Sequence, residues 1–398
     1  MQVLRATQVY DGSAFLGPAS VYVDGELIAG VDRGHPDAPS DADVSSYEGT
    51  LLPGLIDSHV HLVSNGDIGS LERAGAATTD ELDAAIRTSL AAEVAAGVTT
   101  VQDLGDRDYR TLAFGAEPGL PRVLASGPPL TVPNGHCHYL GGTASGIEGI
   151  RRAVAEHAAR GVDVVKVMAT GGMVTPGTDV YAPQFTDPEL AGCVEAAHAA
   201  GLRVLAHAHA LEGVRQAVRA GVDGVEHFTC LTQTGIVTPD ELLAEVVTFG
   251  ITVDQTLGVD ASQAPPPDRM PPGIRGVLER LGLDLETFRT TRISQARLLR
   301  AKGVQVVAGT DAGAAPTKRH GAAWRAVLEM VEAGYPMAEA LATATSQAAA
   351  VLGLGSATGR LASGLSADLL VVEGDLVVDP SALSRPTAVL VRGLRPGS

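Results

Sequence analysis

Between Gly54 and residue 358, the sequence alternates short bursts of apolar, β-branched residues with alanine-rich segments of helical composition. This alternation is typical of βα units, whose parallel strands are buried on both faces and therefore appear as continuous apolar runs. Eight such bursts occur, at Leu55 to His59, Thr99 to Leu104, Arg122 to Ser126, Val162 to Met168, Arg203 to His207, Val222 to Glu226, Ile251 to Gln255 and Val304 to Gly309. Eight strands alternating with helices predict an α/β protein built on a closed (β/α)8 TIM barrel.

The segments between the bursts predict helices that pack on the sheet, because alanine and leucine dominate them. They lie at Thr79 to Ala95, Glu148 to Ala159, Pro188 to Ala200, Gly213 to Ala220 and Leu285 to Lys302. After the seventh strand, the proline-rich run from Ala264 to Pro272 excludes a regular helix or a central strand. In a barrel, this stiff loop lies over the catalytic face.

Both ends of the chain differ in pattern from its centre. Residues 1–53 and 359–398 contain short β-like runs that are broken by glycine, proline and aspartate. We predict that these two segments pair to form one small β-sandwich domain, and that residues 54–358 form the catalytic barrel. A length of 398 residues suits one barrel with such an appendage.

Composition limits the classes of partner. A formal net charge of −17 argues against binding to nucleic acid or to an anionic membrane, since both require a basic surface. Three cysteines are too few and too scattered for a disulfide framework or a thiolate zinc site. The chain starts without a signal-peptide pattern and contains no run of about 20 apolar residues. We therefore expect a cytoplasmic protein that acts on a small molecule.

Several metal-ligating residue types stand at the ends of the predicted strands. His59 and His61 are two residues apart at the first strand, so both rings can face one ion. His207 and His227 end the fifth and sixth strands, and Asp311 follows the eighth. Each histidine alone could be an ordinary polar residue, but catalytic groups in barrels come from the carboxyl ends of several strands. The combination predicts a metal site.

Lys166 interrupts an otherwise apolar strand. It could point outward, with its ammonium group in water, as many strand lysines do. If it points inward, it needs a partner, because a buried ammonium group is costly and tends to lose its proton. The histidines at neighbouring strand ends favour the inward orientation.

Five segments together carry a specific resemblance that covers essentially the whole chain. They are Leu52 to His61, Lys166 to Gly172, Ala206 to His209, Val225 to His227 and Gly309 to Gly313. With these motifs, the sequence resembles the amidohydrolase superfamily, and most closely its prolidase, imidazolonepropionase and ochratoxinase-like branch. The run from Gly359 to Leu369 also resembles this family's return into its small β domain.

The resemblance implies a binuclear centre with two divalent metal ions, for which we expect zinc. His59, His61 and Asp311 would hold the more buried ion, and His207 and His227 the more exposed one. Lys166, carboxylated by carbon dioxide, would bridge the two. We prefer His207 to His209 as the ligand because the family's spacing to the next ligand matches the 20 residues between positions 207 and 227. His209 would then meet substrate, and Asp311 would act as the proton shuttle.

Five further residues are candidates for substrate binding: His136, His138, Tyr181, Gln255 and His320. Each lies at or beyond the end of a predicted strand, but a packing role explains the histidines at 136 and 138, Tyr181 and Gln255 as well. His320 belongs to the cationic run Thr317 to His320, which offers an anion site or a merely solvated charge cluster.

These inferences lead to one main functional hypothesis, which is hydrolysis of an amide-type C–N bond by a metal-bridging hydroxide. The substrate would be an N-acyl amino acid, a dipeptide-like molecule or a lactam. Ala210 replaces a tyrosine that binds the substrate carboxylate in related dipeptidases, which weakens the dipeptide option. The enzymatic alternative is a heterocycle deaminase or an imidazolone-type ring-opening hydrolase, which generally uses one metal and lacks the lysine. A non-catalytic, metal-stabilised interaction protein is the alternative from another class, and the sequence leaves a homo-oligomer open.

Overall fold

A computed structural model describes residues 1–115 and 117–396 of the chain. In these ranges the strands are β1 (Gln2–Val9), β2 (Ala19–Asp24), β3 (Leu27–Arg33), β4 (Asp43–Pro53), β5 (Leu55–Val60), β6 (Val98–Asp103), β7 (Arg122–Ala125), β8 (Val164–Met168), β9 (Arg203–Ala210), β10 (Gly224–Thr232), β11 (Gly235–Ile236), β12 (Thr252–Asp254), β13 (Val306–Val307), β14 (Leu369–Glu373) and β15 (Pro386–Leu390). All eight predicted strands are present, although β12 and β13 are shorter than predicted.

The helices fill the intervals between the parallel strands. They are α1 (Ser70–Ala74), α2 (Thr79–Ala95), α3 (Gly146–Arg160), α4 (Asp187–Ala199), α5 (Leu211–Ala220), α6 (Asp240–Thr248), α7 (Pro272–Leu281), α8 (Leu285–Ala301), α9 (Ala323–Glu332), α10 (Met337–Thr343) and α11 (Ser346–Val351). The predicted helices match α2, α3, α4, α5 and α8 to within two residues at each end. One short 3-10 turn, Pro267–Arg269, lies within the proline-rich run before α7, and another, Ala261–Gln263, directly precedes the run. Within the described residues, every helix is too short or too polar to cross a bilayer.

The two ends of the chain share one six-stranded sheet in the order β15-β14-β4-β1-β2-β3. β1 pairs with β4 in parallel, and the other neighbours are antiparallel. The predicted pairing of the two ends is therefore observed, but the hydrogen-bonded path is a single sheet and not the two sheets of a sandwich. The domain boundaries near residues 53 and 359 stay a prediction.

Alternating residues of β14 join this sheet to the rest of the molecule. Leu369 and Val371 pack into an apolar cluster within the six-stranded sheet, whereas Leu370 and Val372 pack into the main core. Successive side chains of a strand point to opposite faces, so one strand serves two cores. The sheet is thereby packed directly against the βα units that carry the metal-ligating residue types.

The eight parallel strands form two sheets, β5-β6-β7 and β8-β9-β10-β12-β13. Single bridges between Leu130 and Val167 and between Val60 and Ala312 link the two sheets, so the ladders do not close into the predicted continuous barrel. Helix α10 supplies one physical reason. The amide groups of Ile56 and Ala308 donate to the carbonyls of Ala344 and Thr343, at 2.7 and 3.0 Å, instead of to a neighbouring strand.

Leu370 provides a test of the packing between the sheet and the main core. Its side chain is fully buried, so Leu370→Ala should lower the free energy of unfolding by about 2 to 5 kcal/mol through lost burial and a residual cavity. Val378→Ala is the matched control, because Val378 is 81% exposed and its truncation should change stability by less than about 0.5 kcal/mol. Chemical denaturation of both variants measures the difference, and similar values would contradict the packing described above.

Candidate metal centre

The first group of donors stands where β5 ends. His59 contacts the Glu226 carboxylate through Nδ1 at 2.7 Å, and His61 Nδ1 lies 3.3 Å from the carbonyl oxygen of Gly105. A carbonyl only accepts hydrogen bonds, so Nδ1 of His61 is the donor. Each ring thus uses Nδ1 toward the protein and directs Nε2 toward the cavity.

Asp311 faces both of these rings. Its Oδ1 lies 3.2 Å from His61 Nε2 and 3.5 Å from His59 Nε2. A lone pair on a neutral ring repels a carboxylate at this distance unless a proton or a cation lies between them. The Asp311 backbone has φ 60°, a left-handed conformation that is rare outside glycine and concentrates at functional sites.

The second group of donors comes from β9 and β10. His207, His209 and His227 each offer one ring nitrogen, and these atoms lie within 4.8 Å of one another. The rings of His207 and His209 both lie 4.5 Å from the ring of His227. Thr229 and Thr256 hydroxyls hold Nδ1 of His209 and His227 at 2.8 and 3.0 Å. Each of these two rings keeps its other nitrogen without a hydrogen-bond partner among the described residues.

Burial sets the charge of these histidines. It lowers the pKa of His59, His207, His209 and His227 well below the ordinary value, because a charged imidazolium loses its hydration. For Asp311, burial raises the pKa, but the hydrogen bond with His61 and the neighbouring positive charges outweigh it and set the pKa to about 2. Neutral imidazoles with an ionised carboxylate are the protonation states that metal binding requires.

Lys166 lies in the middle of β8 and lines the same cavity as both donor groups. Its side chain is almost completely buried, and Nζ has no hydrogen-bond partner within the described ranges. Burial lowers its pKa, which nearby carboxylates only partly oppose. The inward orientation is therefore observed, and a buried amine without a partner is costly enough to require an explanation.

Residues 50–394 match the family model described as the amidohydrolase family. The chain belongs to the amidohydrolase family. Membership implies hydrolase activity on C–N bonds of small molecules, and metal binding is typical of the family. The two donor groups described above are the candidate metal ligands of this amidohydrolase.

Named relatives confirm the branch that the sequence motifs indicated. An uncharacterized protein of Mycobacterium tuberculosis is 31% identical over 88% of this amidohydrolase and 86% of that protein. Ochratoxinase of Aspergillus niger is 26% identical over 85% of this chain and 73% of the ochratoxinase. Imidazolonepropionase of Salinispora arenicola is 28% identical over 94% of this chain and 90% of the imidazolonepropionase. A solved Xaa-Pro dipeptidase with methionine bound in its active site is 25% identical, covers 99% of both chains and gives a TM-score of 0.85.

Two of the five predicted substrate residues line the cavity of this amidohydrolase. The His136 ring lies 4.5 Å from the His207 ring, and its Nδ1 lies 2.8 Å from the Thr175 hydroxyl. Gly172 packs against that ring so closely that any side chain would overlap it. Gln255 also lines the cavity, but its amide nitrogen donates to Gln295 at 3.2 Å and is not free for substrate.

The other three predicted substrate residues lie outside the described cavity lining. His138 Nδ1 contacts the Gly135 carbonyl at 2.9 Å, as expected for loop packing. Tyr181 packs in an apolar cluster under the Arg280 guanidinium. His320 is held on both nitrogens, by Glu93 at 2.9 Å and by the Ser64 carbonyl at 2.8 Å, so it supports the loop instead of binding an anion.

Sequence patterns gave no role to a buried carboxylate behind the donors or to one side of the cavity. Glu226 orients His59, and a buried carboxylate directly before His227 was the available signal. Residues of α7 and α8 form an apolar side of the cavity, which their spacing of three and four residues after the proline-rich run could have indicated.

His136 allows a test of the electrostatics at this site. Burial lowers its pKa from 6.5 to about 3, so the unfolded chain binds the proton more readily. The stability that neutral His136 contributes is fully present above pH 6.5 and is lost as the pH falls from 6.5 toward 3. Relative to His136→Asn, we expect the wild-type free energy of unfolding to fall by about 1 kcal/mol per pH unit within this window. Denaturant titrations at several pH values measure both slopes, and equal slopes would contradict this assignment.

Proposed function

We propose that this chain is a binuclear metal-dependent hydrolase of amide-type C–N bonds, built on a (β/α)8 barrel. The observation that carries the proposal is the pairing of two three-donor groups in one cavity with an unpartnered lysine. The groups adjoin, since the His59 and His227 rings are 5.3 Å apart. Neither group has enough hydrogen-bond donors to satisfy its own lone pairs.

The donor set fits two divalent ions. His59, His61 and Asp311 would hold one ion, and His207 and His227 the other, while His209, whose ring nitrogen lies within 4.8 Å of theirs, would face the substrate. Neutral imidazoles and a carboxylate suit borderline cations, of which zinc is our expectation. Cytoplasmic location and a homo-oligomer likewise stay predictions.

Lys166 fits a bridging role after carboxylation. Its lowered pKa favours the free amine, whose lone pair can form an N–C bond to carbon dioxide with release of one proton. The product is a carbamate, which replaces the unpartnered neutral amine by an anionic group with two oxygens in the cavity that both donor groups line. This change removes the cost of the unpartnered Nζ.

Asp311 is the residue we assign to proton transfer. Bound divalent ions would polarise the scissile carbonyl and acidify an attacking water. The Asp311 carboxylate then accepts a proton from that water while the oxygen of the water attacks the carbonyl carbon. Asp311 delivers this proton to the leaving nitrogen as the C–N bond breaks. His136 and His209, neutral and beside His207, can position the substrate amide.

The alternatives explain fewer of these contacts. A heterocycle deaminase or ring-opening hydrolase with one metal would leave Lys166 buried without a partner, and a non-catalytic protein would not need the left-handed Asp311 backbone. Measurable amide hydrolysis that requires Asp311 would exclude the non-catalytic alternative.

The Lys166→Ala variant tests the binuclear centre. Wild-type protein saturated with zinc and bicarbonate should contain close to two metal ions per chain by elemental analysis, and the variant should lose metal and activity together because the bridge is absent. Short carboxylic acids should partly restore both. One ion per wild-type chain, or full activity in the variant, would refute the two-metal proposal.

The Asp311→Asn variant tests the proton shuttle. Asparagine keeps the volume and one oxygen but loses the basic group, so kcat should fall by about 10² to 10⁴ while the protein stays folded. His209→Asn is the comparison, because loss of a substrate contact should chiefly raise KM. Metal content must be measured in both variants. Near-wild-type kcat in a metal-loaded Asp311→Asn protein would move the shuttle to another residue.

A further inference from the structure

Beyond the metal centre, the cavity has an apolar wall formed mainly by two helices. Side chains of α7 and α8, spaced three or four residues apart, occupy one face of each helix, and a residue from the segment after β8 completes the wall. We call this surface the apolar wall; it consists of Met173, Ile274, Val277, Leu278, Leu285 and Phe288.

Much of the apolar wall is not covered by the protein itself. Val277 and Leu278 are buried, but Met173, Ile274, Leu285 and Phe288 are only partly buried and border the cavity. Apolar surface left at a cavity favours a ligand that removes it from water. A bulky apolar group on the substrate would do so.

Cationic side chains also line the cavity, but each is already engaged by the protein. Arg292 donates to the main-chain carbonyls of His227, Phe228 and Gln255. The Lys318 ammonium group donates to the carbonyls of Thr256 and, at 3.1 Å, Leu257. Both side chains hold the backbone that carries cavity residues.

Arg289 is equally committed. It forms ion pairs with Glu286, Glu329 and Glu332 at 2.9, 3.1 and 3.0 Å. Glu329 in turn accepts from the amide of Gly258 at 2.7 Å. Among the described residues that line the cavity outside the metal centre, each arginine and lysine therefore already has carbonyl or carboxylate partners.

We propose that the substrate is an amide that presents an uncharged aryl or branched alkyl group to the apolar wall, and that a carboxylate at that position is selected against. This proposal rests on the function proposed above, because that function places the scissile amide at the metal centre. A carboxylate would lose its hydration beside the apolar wall and meet no uncommitted cation. A neutral group of the same shape has no charge hydration to lose when it enters the cavity, and it covers exposed apolar surface.

Two acetanilides of nearly equal shape test the proposal. Para-isopropylacetanilide and para-acetamidobenzoate share the scissile amide and differ only in a neutral branched group against a carboxylate. Hydrolysis by zinc-loaded protein should give a kcat/KM at least about tenfold higher for the isopropyl compound. Equilibrium dialysis of the same two compounds against the protein provides a readout that does not depend on turnover, and the isopropyl compound should bind more tightly.

A matched pair of variants locates the preference in the apolar wall. Phe288→Ala should reduce the ratio of the two kcat/KM values severalfold, because it removes apolar contact area from the cavity. Phe249→Ala should leave the ratio unchanged, since Phe249 is 62% exposed and lies at the end of α6 outside the cavity.

The two assays separate this proposal from the function on which it rests. Equal or stronger turnover and binding of the carboxylate would overturn the substrate class while amide hydrolysis stands. Absence of hydrolysis with tighter binding of the isopropyl compound would refute the proposed function but support the apolar site. An unchanged preference in Phe288→Ala, or no binding of either compound, would overturn the role of the apolar wall.

Discussion

A shortage of hydrogen-bond donors at the carboxyl ends of the parallel strands shapes the centre of this molecule. Five histidine rings, from positions 59, 61, 207, 209 and 227, meet Asp311 and Lys166 in one cavity, and apart from Asp311, whose side chain is 18% exposed, these groups are almost fully buried. Burial keeps four of these rings neutral, and His61 Nε2 faces a carboxylate oxygen at 3.2 Å. Atoms with lone pairs remain this close only when a proton or a cation is shared between them. The metal ions proposed above would meet this requirement.

Buried carboxylates behind the donors fix their positions and also join strands where ladder hydrogen bonds are missing. Asp57, on β5, accepts from the Thr310 hydroxyl at 2.6 Å, and Ser58 donates to Asp254 of β12 at 2.6 Å. The Asp57 bond links β5 to the segment after β13, beside the point where the carbonyls of residues 343 and 344 accept from main-chain amides, and the Ser58 bond links β5 to β12. The same contacts that hold the fold together there also place His59 and Asp311 opposite each other.

The proposed metal site and the proposed substrate-recognition surface lie on different structural elements. The proposed metal ligands stand on strands or in the segments that follow them, and the positions of the strands are fixed by pairing and by the core. The apolar wall stands on α7 and α8, which follow the proline-rich run after β12. Such a division lets substrate preference change through helices and loops without disturbing the ligands.

The sequence by itself determined the alternation of strands and helices, the residues at the strand ends and the family. These features depend on local periodicity and on motifs of a few residues, as in the exact bounds of α2 and the pair His59 and His61. Only the tertiary structure decided which of the remaining polar residues face the cavity. His136 and His320 both lie in loops after strands, yet His320 turns away because Glu93, 227 residues distant in sequence, binds it. Likewise, the strand ladder stays open beside β13 because the carbonyls of residues 343 and 344 accept hydrogen bonds from the main-chain amides of Ile56 and Ala308. These acceptors are distant in sequence from β5, so no local pattern could have predicted them.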